Sequence, residues 1–355
     1  MWLLLLACHA DLSIRGKEDP PVEVETDAPA DDTDGAVVPV DVDLPTPSAV
    51  AEDGGPVDEW FELDDDLQWP ESFAWDPQTE AFYVSSLWYG DVRRVGADGR
   101  ESVFFQDERS VDADPQPWQT WGVEVDVDRR RLFACASWNG GGPVTWFVWI
   151  LDLDTGERLS QIEMARSSPG AQCRDFAVGA DGKVYVTDRA HPVVHVIDPV
   201  AEEVSVFADD PALDTTVWGP DGVALTPDGR GLLVGLSRAP GFVFVPLLHP
   251  EAPVRVQVEG DDWQMGGGQG IDGLAFVGDD VYVAAVNRLL RVHPVDPSWE
   301  LAELRSYEAP IHGMSAVTVA GDRLFALNGD PNAWTLGIRP DLPFKIYRVD
   351  AAAYP

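Results

Sequence analysis

Six residues of differing chemistry occupy equivalent positions in a repeated sequence pattern. Each precedes an alternating apolar run, a turn and a second apolar run, which together predict a β-hairpin. The clearest copy is GPDGVALTPDGRGLLVGL, residues 219–236. In chain order the six residues are Glu71, Trp121, Arg174, Asp221, Asp272 and Ser315. Carboxylates and a guanidinium at repeated positions could bind a hard cation, bind a polar ligand or transfer protons.

The elements that must position these residues are the repeats themselves. The hairpin recurs at intervals of about 40 to 50 residues, which is typical of propeller blades. Two further apolar runs follow most hairpins, and the outermost strand of the fourth repeat is predicted at 254–258. The sequence therefore predicts an all-β fold, a six-bladed β-propeller over residues 58–350. Innermost strands line the central channel, so the six residues should meet at its mouth.

The last repeat lacks a fourth strand of its own. Its third strand is predicted at 344–349, and only a C-terminal tail, residues 351–355, follows. The segment DEWFEL, residues 58–63, precedes the first hairpin and has one apolar side. We expect this N-terminal strand to complete the last blade and close the ring, which leaves no wide sheet edge open. The alternative is a loose N-terminal strand.

The N-terminal region predicts export. Residues 1–8 form an apolar run that ends in Leu6-Ala7-Cys8 and resembles a bacterial lipoprotein signal, in which Cys8 would be lipidated. Residues 9–57 are acidic and rich in Pro, with few large apolar side chains, and predict a disordered tether. We expect a lipid-anchored protein of the periplasm or cell surface. A misplaced start codon, or an ordinary buried cysteine, is the alternative.

Composition limits the choice of partners. The 355 residues include 62 Asp and Glu against 24 Lys and Arg, a net charge of −38 that is spread over the chain. Such a charge would repel a phosphate backbone, so no nucleic-acid partner is expected. The excess of acidic residues would be explained by solubility, by adaptation to salt or by an acidic docking surface. A monomer is expected, with the membrane reached through the lipid anchor alone.

Two cysteines remain if Cys8 carries lipid. Cys135 ends a second strand in the second repeat, and Cys173 stands at the mouth of the third. Both should lie near the same face, and an exported protein would permit a disulfide between them. Two buried thiols are the alternative.

The openings of two repeats resemble a known family. Pro70-Glu71 and Ile271-Asp272-Gly273 are similar to motifs of the senescence marker protein, gluconolactonase and luciferin-regenerating-enzyme-like family, whose members are six-bladed propellers that include metal-dependent lactonases. The resemblance implies Ca²⁺ or another divalent cation held by Glu71, Asp221 and Asp272. It also implies hydrolysis of a lactone or related ester, with Asp272 or Glu71 as the catalytic base or nucleophile.

Two positions depart from that family, although Asp221, which replaces an Asn in the fourth repeat, still offers an oxygen ligand. Arg174 stands where the family has an Asn ligand, and a guanidinium has no lone pair for a metal. Either Arg174 turns outward to bind a substrate anion, with Asp175 or water filling the gap, or it replaces the ion in a salt-bridge cluster. Further candidates for substrate binding are Trp121 as an apolar wall, Ser315 as a hydrogen-bond donor, and His312, which precedes Ser315 by three residues.

Two functions therefore stay open at this level. The first is a metal-dependent hydrolase of small lactones or esters, with its site at the channel mouth. The second is a non-catalytic cell-surface propeller that binds a partner, with a structural ion or salt-bridge cluster at the channel. The remaining histidines, including His191 and His195, fall in outer strands or loops and are predicted to be structural or surface residues.

Overall fold

The computed structural model describes residues 57–354, apart from 67, 111–112, 114–115, 215–218, 238–240, 262–269 and 286. The predicted signal segment with Cys8 and most of the predicted tether lie outside the described residues. None of the helices within the described ranges combines the length and hydrophobicity needed to cross a membrane.

The predicted six-bladed propeller is confirmed. β1 (Val57–Glu62) opens the described chain, and the remaining strands form six sheets in chain order. The first three blades contain β2 (Phe73–Asp76), β3 (Ala81–Ser85), β4 (Val92–Gly96), β5 (Glu101–Phe105), β6 (Trp118–Asp126), β7 (Arg131–Trp138), β8 (Thr145–Asp152), β9 (Arg158–Glu163), β10 (Cys173–Val178), β11 (Val184–Asp188), β12 (Val193–Asp198) and β13 (Glu203–Asp209).

The last three blades follow the same order. They contain β14 (Pro220–Leu225), β15 (Gly231–Leu236), β16 (Gly241–Pro246), β17 (Val254–Arg255), β18 (Gln257–Gly260), β19 (Leu274–Val277), β20 (Asp280–Ala285), β21 (Arg288–Pro294), β22 (Leu301–Glu308), β23 (Met314–Ala320), β24 (Arg323–Asn328) and β25 (Lys345–Val349). One α-helix, α1 (Pro331–Leu336), and 3₁₀ turns at Met164–Arg166, Pro211–Leu213 and Ala351–Ala353 complete the described elements.

The innermost strands form a closed circuit around the channel. β2 contacts β6, and the contacts continue through β10, β14, β19 and β23 back to β2. Closure is completed as the sequence predicted, because β1 pairs antiparallel with β25 in the last blade. Phe61 of β1 also packs near Gly99 of the first blade, where an added Cβ would lie 3.0 Å from its ring. The N-terminal strand thus joins the last blade to the first.

The outer edge of the fourth blade differs from the prediction. The run at 254–258 was expected to form a single fourth strand, but its ladder within that blade is confined to Val254–Arg255, followed by one hydrogen bond from the N–H of Val256 to the carbonyl oxygen of Phe242 at 2.9 Å. Val256 is buried, and Gln257–Gly260 then crosses to the next blade and pairs parallel with β22. The fifth sheet therefore has five strands. A parallel addition to an outer edge depends on which neighbouring edge is within reach, which local alternation does not encode.

Apolar side chains between neighbouring blades form the core. One cluster joins Tyr83 of the first blade to Trp118 and Trp149 of the second, all nearly inaccessible to solvent. The next interface contains the disulfide between Cys135 and Cys173, whose Cα atoms are 5.8 Å apart. This bond links the second strand of the second blade to the innermost strand of the third.

Candidate functional site

β-Bulges position four of the six candidate residues. The pairing register shifts between Thr120 and Val123, Cys173 and Phe176, Pro220 and Val223, and Met314 and Ala316. Trp121, Arg174, Asp221 and Ser315 fall within these intervals, inside the innermost strands rather than before them. A bulge locally breaks the alternation of side chains and re-aims a residue. Here the bulges turn these side chains toward the channel mouth.

Glycines beside the site let neighbouring blades approach closely. A Cβ on Gly122 would lie 2.0 Å from the carbonyl oxygen of Arg174, and one on Gly222 would lie 1.9 Å from that of Asp272. Both distances are far below van der Waals contact. Each glycine directly follows a candidate residue of its own blade. Because it has no Cβ, the backbone of the next blade can approach, and candidate residues of successive blades come close together.

Arg174 turns inward and joins three carboxylates. Its Nη2 lies 2.7 Å from Oε1 of Glu71, and its Nε donates to Oδ1 of Asp221 at 2.7 Å. Asp272 lies further away, with 3.9 Å between its Oδ1 and Nη2. The guanidinium is 5% exposed and stacks 4.7 Å from the centre of the Trp121 ring. Of the two orientations left open for Arg174, the structure has the salt-bridge cluster.

Two residues that sequence reasoning missed complete the polar lining. Ser237 donates a hydrogen bond to Oδ2 of Asp221 at 2.5 Å. Arg189 lines the same pocket, where burial and the charge of Arg174 lower its pKa to about 10. Both residues directly follow the second strand of a blade, β15 and β11. Comparing that position across the repeats would have identified them.

The three carboxyl groups differ in acidity. Burial and the charge of Asp221 raise the pKa of Asp272 well above its usual range. Burial likewise raises the pKa of Glu71, although Arg174 opposes the shift. Burial alone would raise the pKa of Asp221, but the guanidinium groups of Arg174 and Arg189 hold it below the usual value. Of the three carboxyl groups, Asp272 is therefore the one whose pKa is raised most clearly, which makes it the candidate for proton transfer.

Helix α1 forms one wall of the pocket. Asp330 caps its first turn by accepting from the N–H of Ala333 at 3.3 Å, and Gly337 ends it in the left-handed region. Trp334 packs edge-on against Trp69, with ring centres 5.2 Å apart. Pro331, Asn332, Trp334 and Thr335 of this segment line the pocket beside Asp272. The wall therefore adds an aromatic side chain to the charged cluster.

Two further acids, Asp175 and Glu124, act electrostatically on each other near the site. Asp175 accepts from the N–H of Val223 at 2.9 Å, and burial raises its pKa to about 8. Burial also raises the pKa of Glu124 to about 7. Ser315 is nearly inaccessible and borders a smaller cavity with Asp175. Asp175 therefore borders a cavity that the ion-pair cluster also lines.

The structure brings five of the predicted site residues to the pocket and leaves one away from it. Glu71, Trp121, Arg174, Asp221 and Asp272 line the pocket, and Ser315 lies just beneath. His312 is exposed in the turn before β23 and does not line either cavity.

The arrangement does not fit a divalent cation. The Arg174 guanidinium stands between Glu71 and Asp221, within ion-pair distance of both, where a metal bound by these carboxylates would have to lie. Within the described ranges, no group of three or more His, Cys, Asp or Glu residues is arranged to hold a metal ion. Arg174 thus supplies the positive charge that compensates the carboxylates.

The fold and the site together define a six-bladed β-propeller with a buried ion-pair cluster at its channel mouth. Solved structures with this fold include the Malassezia sympodialis allergen Mala s 1, with 16% identity and a TM-score of 0.64, covering 82% of this chain and 96% of that chain. A gluconolactonase from Xanthomonas campestris has 17% identity and a TM-score of 0.57, covering 82% and 88%. A calcium-binding regucalcin from Agrobacterium tumefaciens has 14% identity and a TM-score of 0.55, covering 82% and 96%.

These likenesses confirm, at the level of the fold, the resemblance to gluconolactonase-like propellers. No protein-family model and no curated protein matches the sequence.

Proposed function

We propose that this protein is an exported propeller that binds a small, oxygen-rich ring compound at its channel mouth without a divalent cation. One observation carries the proposal: Arg174 forms ion pairs at 2.7 Å with both Glu71 and Asp221. A buried guanidinium neutralises the acids that a metal would otherwise compensate. The protein would therefore keep its site assembled in the absence of Ca²⁺.

Unused hydrogen-bonding capacity indicates the chemistry of the ligand. Nη1 of Arg174 is buried and has no hydrogen-bond partner among the described residues, so it can donate to a ligand oxygen. Asp272 is 17% exposed, and its raised pKa lets it donate when protonated or accept when ionised. Trp334 and Leu87 supply apolar walls. A sugar or sugar lactone has the matching combination of hydroxyl groups, carbonyl oxygen and apolar ring face.

The proposed location rests on separate features of the chain. The disulfide between Cys135 and Cys173 is the kind of bond that persists in oxidising compartments. The apolar segment ending at Cys8 and the acidic stretch after it suit a lipid anchor and a spacer. We accordingly propose attachment at the periplasmic or outer cell surface through lipidated Cys8.

Metal analysis and thermal melting test the cation-free site. The purified full chain should contain well under one equivalent of Ca²⁺, and its Tm should be the same in EDTA and in millimolar Ca²⁺. A panel of sugars and sugar lactones should include a ligand that binds the wild type by calorimetry. Asp272→Asn should weaken that binding, whereas Asp322→Asn, an exposed control, should not. A stoichiometric metal, or a Tm that falls in EDTA, would overturn the proposal.

A second candidate is hydrolysis of a lactone or related ester at the same site. The raised pKa of Asp272 favours it, because a carboxylate that binds a proton more strongly is a better general base. Asp272 would take a proton from water as that water attacks the carbonyl carbon. Nη1 of Arg174 would stabilise the oxyanion, and the proton would pass to the departing ring oxygen.

A lactone panel separates the two candidates. If the site is hydrolytic, the wild type should open at least one lactone, and Asp272→Asn should lower kcat by about 100-fold or more. Asp322→Asn should leave the rate unchanged. Binding without turnover in the wild type would leave the binding function as the better account, and equal rates in the wild type and Asp272→Asn would remove the role of base.

A further inference from the structure

A serine, a histidine and an aspartate are connected outside the channel pocket. Oγ of Ser167 lies 2.9 Å from Nδ1 of His195, and Nε2 of the same ring lies 3.0 Å from Oδ2 of Asp188. Ser167 follows the 3₁₀ turn Met164–Arg166, His195 lies within β12, and Asp188 ends β11. None of the three lines the pocket at the channel mouth. They therefore form a separate cluster.

The partners of Asp188 determine how the histidine is protonated. Oδ1 of Asp188 accepts from the backbone N–H groups of Gln172 and Ala190, at 2.9 and 2.8 Å. Oδ2 faces ring nitrogens of both His191 and His195. Although burial opposes ionisation, these hydrogen bonds hold the pKa of Asp188 below its usual range. An ionised carboxylate can only accept, so Nε2 of His195 must carry a proton.

This assignment leaves Nδ1 of His195 free to act as a base. When the imidazole is neutral, its remaining lone pair points at the Ser167 hydroxyl, which donates to it. Serine hydrolases use the same three groups in the same roles, although they place the carboxylate on Nδ1 and the serine on Nε2. Reversing the two nitrogens keeps the sequence of carboxylate, imidazole and hydroxyl.

We propose that Ser167 is the nucleophile of a second active site, which cleaves carboxylic esters, with His195 as the base and Asp188 as the positioning residue. Ser167 is half-buried, whereas His195 has no exposed surface. Pro169 and Gly170, which follow in the same turn, are exposed. A substrate carbonyl could therefore approach the hydroxyl from solvent.

The turn also supplies a candidate donor for the developing oxyanion. Among the described residues, the N–H of Gly170 has no hydrogen-bond acceptor. Gly170 adopts a left-handed conformation, with φ of +81°, and a Cβ added there would lie 4.0 Å from Cε1 of His191. The N–H of Gly170, three residues after the serine in the same turn, is thus not engaged by another acceptor among the described residues.

The proposed step uses no reagent other than the ester and water. Oγ of Ser167 bonds to the carbonyl carbon while its proton passes to Nδ1 of His195. The carbon–oxygen bond to the alcohol then breaks, and His195 returns the proton to the departing oxygen. Water repeats the sequence on the acyl-serine, releasing the acid and restoring the hydroxyl.

A fluorophosphonate probe tests this assignment, because it reacts with a serine only where the hydroxyl is activated. The full chain should be labelled, with loss of fluoride, and peptide mapping should place the adduct on Ser167. Ser167→Ala should abolish labelling, and His195→Gln should slow it about 100-fold or more. Ser168→Ala, a change at the neighbouring serine, should leave the rate unchanged. Rates of p-nitrophenyl acetate hydrolysis should rank the variants in the same way, with Ser168→Ala equal to the wild type, His195→Gln slower and Ser167→Ala inactive.

A purely structural network would give a different result. In that case the folded wild type would be labelled no faster than heat-denatured protein, and the proposal would be overturned. Labelling that persists in folded His195→Gln would also overturn it. Since His195 is buried, circular dichroism must establish that this variant folds; if it does not, the comparison of Ser167→Ala with Ser168→Ala and the mapped adduct decide the question. This site is independent of the proposed channel function, so Asp272→Asn should leave labelling intact.

Discussion

Nη2 of Arg174 lies 2.7 Å from Oε1 of Glu71, which joins the third blade to the first across the mouth of the channel. Both groups are almost fully buried, at 5% and 4% exposure. Removing one partner of such a pair leaves an uncompensated charge in a poorly solvated place. The guanidinium is thus a structural requirement of the site as well as a potential ligand-binding group.

Replacing Arg174 by Asn should make stability depend on calcium. In EDTA, Arg174→Asn should lose about 3 to 5 kcal/mol of unfolding free energy, because Glu71 and Asp221 lose their ion-pair partner and the carboxylates repel with only Arg189 nearby. Millimolar Ca²⁺ should restore part of the loss through the carboxylate and amide oxygens. Denaturant unfolding with and without Ca²⁺ measures both effects. Arg166→Asn, at an exposed position, is the control, and loss of stability without any recovery in Ca²⁺ would contradict the prediction.

Stability should fall as the pH rises from about 5 to about 8. Burial raises the pKa of Asp175 to about 8 and that of Glu124 to about 7. Each group holds a proton in the folded state up to its raised pKa and loses it on unfolding, so unfolding is favoured as the pH rises through this window. Acids with lowered pKa values, such as Asp221, are ionised in both the folded and the unfolded state over this range, so they do not change how stability depends on pH.

The variant Asp175→Asn tests the source of that slope. The amide keeps an oxygen that can accept from the N–H of Val223 but cannot ionise. The decline of Tm with pH should therefore be shallower in Asp175→Asn than in the wild type. Asp322→Asn, which alters a fully exposed carboxylate, should reproduce the wild-type slope. A slope unchanged in Asp175→Asn would show that other groups titrate.

Reducing the disulfide should lower stability by about 4 kcal/mol. Cys135 and Cys173 are separated by 38 residues, and a cross-link over a loop of that length restricts the unfolded chain by about this amount in the chain-entropy model. Guanidinium unfolding of the oxidised protein and of the Cys135→Ala, Cys173→Ala variant measures the difference. Reductant should have no effect on the double variant. Equal midpoints for the two proteins would contradict the expected contribution.

Phe61 should contribute to closing the ring. Phe61→Ala should lower the free energy of unfolding by about 1 to 2 kcal/mol. The ring is only partly buried against the last and first blades, so its removal should cost less than that of a fully buried phenylalanine. The neighbouring Glu62 is exposed, so Glu62→Ala should change stability by less than about 0.5 kcal/mol. The same unfolding experiment compares the two. Equal effects would mean that strand pairing alone closes the ring.

Much of the architecture could be predicted from local sequence. Alternating apolar residues, turns such as Pro227-Asp228-Gly229 and the spacing of the hairpins determined the strands, the number of blades and the expected meeting of Glu71, Asp221 and Asp272. The missing strand of the last repeat also predicted closure by DEWFEL. These features depend on the backbone preferences of short segments and on burial of one face of each strand, which a linear sequence encodes.

The tertiary structure decided which groups compensate one another. The direction in which Arg174 points, the transfer of β18 to the neighbouring blade, the pairing of Cys135 with Cys173 and the contact between Ser167 and His195 all join segments whose distances no local pattern specifies. Ion pairs, disulfides and hydrogen bonds act over a few ångströms, and bulges can turn a side chain from one face to another. The sequence by itself determined a ring of blades with acids at its mouth, whereas folding in three dimensions decided that a guanidinium stands among them.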